Sequence, residues 1–285
     1  MGTNLFFAVN YSLVKNIAPA FIKPFALNVL RVGCSLVLFW ALWLFQKGAA
    51  PIQKQHWMRF VLCSITGIAI NQMLFIKGLT LTSTVHASLL ILATPLLISI
   101  FALVVLKEAL TRYKILGLLL GISGSVLLIT GKESGAHAQN YLLGDVLILI
   151  NAVSYGAYFI LVKPLMQVYS PLQVTRWVFT IGFVLMLPFG WRELQQVQWP
   201  LFKMEQYLCL AGVIVTGTFL AYLFTAYGIQ NLGAGITGTY IYTQPLFAVI
   251  IAILFLSETL SWSKIVAAVL IFAGVYAVNF KPAKT

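Results

Sequence analysis

The chain of 285 residues is 61% hydrophobic and 8% charged, and its mean hydropathy is +0.96. Soluble domains carry about 25% charged residues, so a soluble fold of this length could not bury so much apolar surface. The protein must therefore span a bilayer as helices or as a closed barrel. Its apolar runs continue over roughly 18–22 residues without alternating polar positions, which favours helices.

The formal net charge is +12, from 18 Lys and Arg against 6 Asp and Glu. These basic residues lie one or two at a time between apolar runs, so no nucleic-acid partner is expected, and they are interpreted as topology signals and contacts with lipid headgroups. Attraction of anionic substrates is the alternative interpretation. The three cysteines are isolated within predicted helices, so we expect no metal site, no disulfide framework and no cofactor.

Polar and Pro/Gly breaks divide the sequence into ten predicted transmembrane helices. Their approximate limits, in chain order, are 3–19, 25–46, 57–77, 82–107, 112–130, 142–163, 171–190, 206–229, 233–257 and 262–280. The short loops leave no room for a soluble domain. The first apolar run has no basic segment before it, so no cleavable signal peptide is expected. Because this run is short for a span, we expect a broken helix or a trimmed native start.

Two stretches of the chain echo each other: LATPLLISIFALVVLKEALT, from Leu92, and YTQPLFAVIIAILFLSETLS, from Tyr242. A shift of 150 positions places Gly67 on Gly217, Gly78 on Gly228, Pro95 on Pro245, Glu108 on Glu258, Lys114 on Lys264 and Gly124 on Gly274. We therefore predict two five-helix repeats, residues 1–131 and 142–281. Because five is odd, the second repeat is inverted in the membrane, as in secondary transporters that bind substrate near the midplane.

The prolines of the repeated helices are candidate hinges. A proline in a helix interior removes one backbone hydrogen bond and clashes with the preceding turn. Pro95 and Pro245 are interpreted either as static kinks or as hinges that expose carbonyl groups to a cavity. Their polar neighbours, Thr94 and Gln244, favour the position beside a cavity.

Two acidic residues end the same helices. Glu108 and Glu258 fall about 20 Å beyond the prolines at a rise of 1.5 Å per residue, which places them at the membrane edge. We expect these carboxylates to act as structural pins or gate latches, with a role as substrate ligands as the alternative.

Ionisable groups within a span are costly and indicate function by default. Arg31, Lys77 and Arg176 are candidate ligands for a charged substrate, and snorkelling to the interface is the alternative for these three and for Asp145. Among the candidates, His86 has an ordinary pKa, about 6.5, in the physiological range. It is interpreted either as the carrier of a coupling proton or as a hydrogen-bonded structural residue.

Several tyrosines lie within predicted helices. Because a buried tyrosine hydroxyl needs a hydrogen-bond partner, these residues predict a wet cavity with aromatic walls, suited to a small organic solute. The candidate cavity residues are Asn10, Tyr11, Asn71, His86, Thr94, Tyr155, Tyr158, Tyr222, Tyr240, Thr243 and Gln244.

These features resemble a known family. The repeated TP…LKE and QP…LSE helices, each followed by a glycine-containing helix, and the stretch LLGDVLILINAVSYGAYFILVK resemble EamA-type permeases of the drug/metabolite transporter superfamily. The resemblance covers essentially the whole chain, although the start, GTNLFFAVNYSLVK, departs from the family's first helix. It implies an all-α protein of ten helices with a central cavity, both termini in the cytoplasm, and export or exchange of small metabolites, amino acids among them.

The leading hypothesis is a secondary transporter of small organic metabolites, with amino acids favoured, acting by alternating access in the cytoplasmic (inner) membrane. Two alternatives stay open. The substrates are phosphorylated sugars, nucleosides or drugs, or the protein is an uncoupled facilitator or exchanger. No enzyme is expected, because the acidic residues are scattered and no acid/base or metal constellation converges. The expected partners are the small-molecule substrate, the lipid bilayer and, if transport is coupled, a proton; the oligomeric state is left open.

Overall fold

The computed structural model describes residues 2–46, 51–105, 112–130, 140–256 and 261–279. Within these ranges the protein is helical throughout, with no β-strand. The α-helices are α1 (Gly2–Ile17), α2 (Pro24–Leu44), α3 (Trp57–Ser64), α4 (Ile70–Leu81), α5 (Thr84–Ile91), α6 (Ala93–Val105), α7 (Arg112–Thr130), α8 (Tyr141–Val168), α9 (Pro171–Gln195), α10 (Met204–Ile214), α11 (Ala221–Thr239), α12 (Gln244–Leu256) and α13 (Trp262–Asn279). The predicted all-helical class is confirmed.

Several of these helices suit a bilayer by length and composition. Five stretches are long and apolar enough to cross a membrane: Pro24–Leu44, Lys54–Leu81, Tyr141–Val168, Pro171–Gln195 and Met204–Gly233. Shorter apolar helices cover Thr84–Ile98, Ile115–Gly124 and Trp262–Gly274. The protein is therefore a multi-helix membrane protein, and its arrangement as ten spans in two inverted repeats stays a prediction.

Two helices extend further than predicted. The predicted segment 142–163 ends before Pro164, but α8 continues through that proline to Val168. Likewise α9 passes Pro188 and ends at Gln195 instead of residue 190. Both proline side chains are exposed, so their rings do not disturb the packed faces, and tertiary packing outweighs the local preference of proline to end a helix.

The predicted helix 82–107 is broken, which corrects the expectation of a proline within a continuous helix. α5 ends at Ile91, and Pro95 lies in the first turn of α6. A proline ring clashes with the carbonyl of the residue four positions earlier, which is Ile91 here. In the first turn of a helix proline loses no hydrogen bond, because that N–H has no partner within the helix.

The second repeat of this element is also broken before its proline. The 3₁₀ segment Tyr240–Thr243 precedes α12, which begins at Gln244 with Pro245 as its second residue. The residue four positions before this proline is Ile241, within the 3₁₀ segment. A further irregularity lies upstream at Gly233, whose φ of 85° favours glycine because other residues are strained there. Both prolines therefore begin new helices.

Two segments of π-helix are inserted in otherwise α-helical stretches. Ile65–Ala69 joins α3 to α4, and Val215–Leu220 joins α10 to α11. The shift of 150 positions that aligns the sequence repeats also superimposes the starts of these two segments. Such segments are rare and frequently occur at functional sites.

A glycine in each π-segment receives a side chain from another helix. Gly67 lies against the ring of Tyr158 in α8, and Gly217 lies against the side chain of Asn10 in α1. A Cβ atom at either glycine would overlap that side chain. Glycine is therefore required here by close approach, and it brings α1 and α8 onto the two π-segments in the same way.

The helices α2 and α9 pack side by side in opposite directions. At one end, the Glu193 carboxylate accepts hydrogen bonds from the backbone N–H groups of Phe25 and Ala26, at 2.8 and 3.2 Å. A carboxylate at a helix N-terminus is favoured by the helix dipole. At the other end, Gln46 Nε2 donates to Ser170 Oγ at 2.9 Å.

The helices α7 and α13 also run in opposite directions and approach closely through glycines. A Cβ atom on Gly124 would lie 2.8 Å from the carbonyl oxygen of Ala267. A Cβ atom on Gly274 would lie 2.5 Å from the Gly117 carbonyl oxygen and 2.7 Å from the Gly121 nitrogen. Small residues permit this backbone contact between membrane helices.

We expect the variant Gly274→Val to lower the Tm of the purified protein in detergent, because its side chain would overlap the backbone of α7. Overpacking typically costs about 1–3 kcal/mol. The matched control is Ala273→Val, at the exposed neighbouring position of α13. Equal Tm values for the two variants would contradict the close packing of these helices.

Candidate functional site

A cavity of about 330 Å³ lies between α1, α8, α11 and the 3₁₀ segment before α12. Its wall is largely aromatic and aliphatic, with a few polar groups, as is typical of sites for small organic ligands. The lining residues are Thr3, Asn4, Phe7, Tyr155, Phe159, Phe224, Thr225, Gly228, Leu232, Thr237, Tyr240 and Ile241. Leu232 and Tyr240 are exposed, so this larger cavity reaches the protein surface near the beginning of α1.

A smaller pocket of about 50 Å³ adjoins the larger cavity and shares Phe7, Tyr155 and Ile241 with it. We call it the polar pocket because amide-bearing residues and an arginine are among those that line it. One water molecule needs roughly 10–15 Å³ measured in this way, so the polar pocket holds a few waters or a small polar group. Its other lining residues are Asn10, Tyr11, Arg31, Asn71, Gln72, Phe75, Ile91, Asn151, Tyr222 and Gln244.

The fold brings together many of the residues selected from the sequence. The polar pocket is lined by Asn10, Tyr11, Arg31, Asn71, Tyr155, Tyr222 and Gln244, and the larger cavity by Tyr155 and Tyr240. Other selected residues line neither space. Tyr158 and Thr94 are buried in the packing between helices, and the Thr243 hydroxyl donates to the Tyr240 carbonyl at 2.8 Å.

A hydrogen-bond network organises one wall of the polar pocket. The Tyr222 hydroxyl accepts a hydrogen bond from Gln72 Nε2 and lies 3.0 Å from Asn71 Oδ1 and 3.3 Å from the Gly67 carbonyl oxygen. Asn151 Nδ2 donates to the Asn71 carbonyl at 2.7 Å. These hydrogen bonds join α4, α8 and α11 around the pocket.

The helix α1 is tied to the break before α12. Gln244 Nε2 donates to the Tyr11 hydroxyl at 2.9 Å, and Asn4 Nδ2 donates to the Tyr240 carbonyl at 2.7 Å. Asn4 and Tyr240 line the larger cavity, and Tyr11 and Gln244 line the polar pocket. A shift of α1 relative to this break would therefore change the shape of both.

Arg31 is a cation buried within the protein, with 1% of its surface exposed. Its Nε donates to Thr218 Oγ1 at 2.8 Å and its Nη2 donates to the Gly217 carbonyl at 3.2 Å. These partners are neutral, and none of the described residues that line either space is an aspartate or glutamate. Since a buried charge is costly unless it is paired, this arginine makes the polar pocket a candidate binding site.

The other two candidate charge ligands lie elsewhere. The Arg176 guanidinium stacks on the rings of Trp40 and Trp43, 4.4 and 4.2 Å from their centroids, which is a favourable cation–π arrangement. Lys77 is half-buried on α4. Among these three residues, only Arg31 lines either space in the part of the chain that the structure describes.

His86 lies outside the cavity, in a buried cluster at the far end of α1. Its Nδ1 is 2.8 Å from Asp145 Oδ2, and the other carboxylate oxygen of Asp145 accepts a hydrogen bond from the Thr82 hydroxyl. Lys15 Nζ donates to the Thr82 carbonyl. These four residues form what we call the Asp145 cluster. Asp145 is completely buried, so the interpretation that it snorkels to the interface is wrong.

Two of the four candidate hinge or gate residues are placed by the structure. Pro95 and Pro245 are buried at the breaks before α6 and α12. Glu108 and Glu258 lie outside the described residues. The hinge and gate assignments stay predictions.

Asn4, Phe7, Gln72 and Asn151 line the site but were not among the candidate cavity residues chosen from the sequence. Helical spacing carries a signal for two of them. Asn151 precedes Tyr155 by four positions and Asn4 precedes Tyr11 by seven, and both spacings place the two residues on one helix face. A search for further polar residues on the helix face of each candidate would have identified these two asparagines.

A multi-helix membrane protein with a solute-sized, largely apolar cavity belongs to the class of membrane transporters. The model of the EamA-like transporter family matches residues 1–130 and 142–280. The chain belongs to this family.

Proteins similar to this chain carry transporter names. An "Uncharacterized transporter" of Archaeoglobus fulgidus is 23% identical over 91% of this chain and 89% of its own length. YyaM of Bacillus subtilis, named an uncharacterized transporter, is 24% identical over 96% and 90%. A "Probable terminal-alkyne amino-acid exporter" of Streptantibioticus cattleyicolor is 27% identical over 76% and 71%. A crystal structure 18% identical in sequence covers 98% of this chain and 96% of its own with a TM-score of 0.64, and shares the fold.

We expect the variant Asp145→Asn to lower the Tm of the purified protein in detergent. The neutral amide weakens two buried hydrogen bonds to a charged group, each worth about 1.5–3 kcal/mol. The control is Glu205→Gln, on the exposed first turn of α10. If both variants melted at the temperature of the unmodified protein, the Asp145 cluster would not stabilise the fold.

Proposed function

We propose that the protein is a secondary transporter that moves small organic metabolites across the cytoplasmic membrane by alternating access. The observation that carries this proposal is the arrangement along α1. Thr3 to Tyr11 line a space that reaches the surface at one end. Lys15, about 6 Å further along the helix, belongs to the buried Asp145 cluster, which closes the other end.

We further propose that the chain forms ten spans in two inverted repeats, residues 1–131 and 142–281. The pair of π-segments supports this proposal, because Tyr158 packs on Gly67 in one as Asn10 packs on Gly217 in the other. The opposite directions of α2 and α9 support it too, since these helices hold equivalent positions in the two repeats.

We propose that both termini are cytoplasmic, as the slight excess of Lys and Arg in the loops on their side favours. The larger cavity begins beside Thr3 and Asn4, so in this orientation it faces the cytoplasm. In this proposal the Asp145 cluster closes the path to the outside, and the larger cavity opens inwards.

Amino acids are the favoured substrates. The cavity, at about 330 Å³, lies at the small end of the roughly 300–1,000 Å³ typical of ligand pockets. It is walled by aromatic rings with polar groups at one end. The name of the Streptantibioticus relative, an amino-acid exporter, supports the same class, and the names of the relatives as transporters support a non-enzymatic role. Phosphorylated sugars, nucleosides or drugs, and uncoupled exchange, are the alternatives.

Counterflow in proteoliposomes tests this function. We expect saturable exchange of a labelled amino acid from a mixed panel, measured with and without a pH gradient. The variant Tyr240→Ala, in the cavity wall, should change the apparent substrate affinity. The control variant Tyr227→Ala, exposed on α11 outside the cavity lining, should not. No exchange of any amino acid by folded protein would leave only the alternative substrates.

We propose that the breaks before Pro95 and Pro245 act as hinges during alternation. The bonds from α1 to Tyr240 and Gln244 would transmit movement at the second break to the cavity. Residues at helix ends commonly absorb such changes in backbone angles.

We expect Pro95→Ala and Pro245→Ala to reduce the transport rate more than they reduce the yield of folded protein, because alanine permits the helix to continue across the break. Counterflow rates per folded molecule measure this effect. The control is Pro188→Ala, an exposed proline within the continuous helix α9. Normal rates for both variants would favour static kinks.

A further inference from the structure

Three side chains in the polar pocket have polar atoms without a hydrogen-bond partner among the described residues. These atoms are Nη1 of Arg31, Nδ2 and Oδ1 of Asn10, and Oδ1 of Asn151. The three side chains are 1%, 1% and 2% exposed, and all of them line the same pocket. Buried polar groups without partners are rare and costly, so their convergence on one pocket points to a bound solute.

The guanidinium of Arg31 is held in a fixed orientation. Its bonds to Thr218 and to the Gly217 carbonyl use Nε and Nη2, which leaves Nη1 as the donor available to the pocket. A charged donor that is oriented in advance binds an anionic oxygen more strongly than a neutral donor does. Asn10 Nδ2 supplies a second donor from α1.

We propose that Arg31 binds the carboxylate of the transported solute in the polar pocket, with Asn10 as the second donor, and that the solute's amino group is not required. This inference rests on the proposed transport function and specifies which chemical group that function recognises. The apolar body of the solute occupies the larger cavity, against Phe7, Tyr155 and Phe224.

The composition of the site favours a carboxylate over a phosphate. The polar pocket measures about 50 Å³, which suits a planar group of three heavy atoms. Among the described lining residues it contains one cation, Arg31, and the carbonyl oxygens of Asn10 and Asn151 would oppose the second charge of a phosphate ester. In the part of the chain that the structure describes, no aspartate or glutamate lines either space to pair with an ammonium group. A 2-substituted acid is therefore recognised through its carboxylate, and the N–H of an amino acid or the O–H of a hydroxy acid can equally donate to the unpaired oxygen of Asn10 or Asn151.

Two sets of matched solutes test the inference with the intact protein. The aromatic set is phenylalanine, phenyllactate, phenethylamine and phenyl phosphate; the branched set is leucine, 2-hydroxyisocaproate and isoamylamine. Binding to purified protein is measured by calorimetry, and transport by counterflow. We expect the amino acid and hydroxy acid of at least one set to bind with similar affinity, and the amine and the phosphate to bind about tenfold or more weakly.

Tighter binding of an amine than of its hydroxy acid, or binding of neither acid in either set, would overturn the proposal. Tighter binding of phenyl phosphate would identify a phosphate site instead and would overturn it too. The proposed transport function would survive these results if counterflow of another solute were observed, so the two failures are distinguishable.

Substitution of the arginine separates recognition from a structural role, in which Arg31 only supports the π-segment. We expect Arg31→Gln to abolish the preference for carboxylates over amines and Arg31→Lys to retain part of it. The control is Arg176→Gln, which removes an arginine that stacks on tryptophan rings and lines neither described space. An Arg31→Gln protein that folds and keeps the preference would show a structural role. If neither Arg31 variant folds, the affinities of the wild-type protein and of Asn10→Ala for the matched acids and amines still test the proposal.

Discussion

In a bilayer, every backbone carbonyl must find a partner within the protein, and the cavity depends on how the two π-segments meet this constraint. The Gly67 carbonyl lies within reach of the Tyr222 hydroxyl, and the Gly217 carbonyl accepts from Arg31. The same side chains form the wall of the polar pocket. The π-segments therefore orient side chains of the polar pocket, and the same side chains provide hydrogen-bond partners for carbonyl groups of the π-segments.

The two proposed repeats differ where the candidate site is formed. Arg31 and Arg176 lie early in α2 and α9, but the first reaches the polar pocket while the second is covered by tryptophans. Asn10 and Tyr158 both pack on the glycine of a π-segment, yet one offers an amide to the pocket and the other an aromatic ring to the core. Equivalent positions of the two proposed repeats thus carry different side chains, and this asymmetry suits the proposed solute, which has a polar head and an apolar body.

The sequence predicted the helices well because apolar runs of bilayer length leave few other structures. It predicted the environment of a side chain poorly where contacts between two distant segments determine that environment. Asp145 stands near the beginning of a predicted helix, which suggests the interface, and only the packing of α5 against α8 gives it His86 as a partner. Pro164 and Pro95 have the same local preference, but the first is exposed within α8 and the second begins α6. Local sequence does not separate these cases.

The helix α1 connects the two ends of the proposed transport path. Asn4 and Tyr11 bond to the segment that includes the second break, and Lys15 bonds to Thr82 in the Asp145 cluster. Alternation that opens the closed end must separate Asp145 from its buried partners, which is costly unless water or new partners replace them. Movement of α1 towards the second break would loosen the cluster and narrow the larger cavity in one step. The contacts of a single helix can therefore couple the closing of one side to the opening of the other.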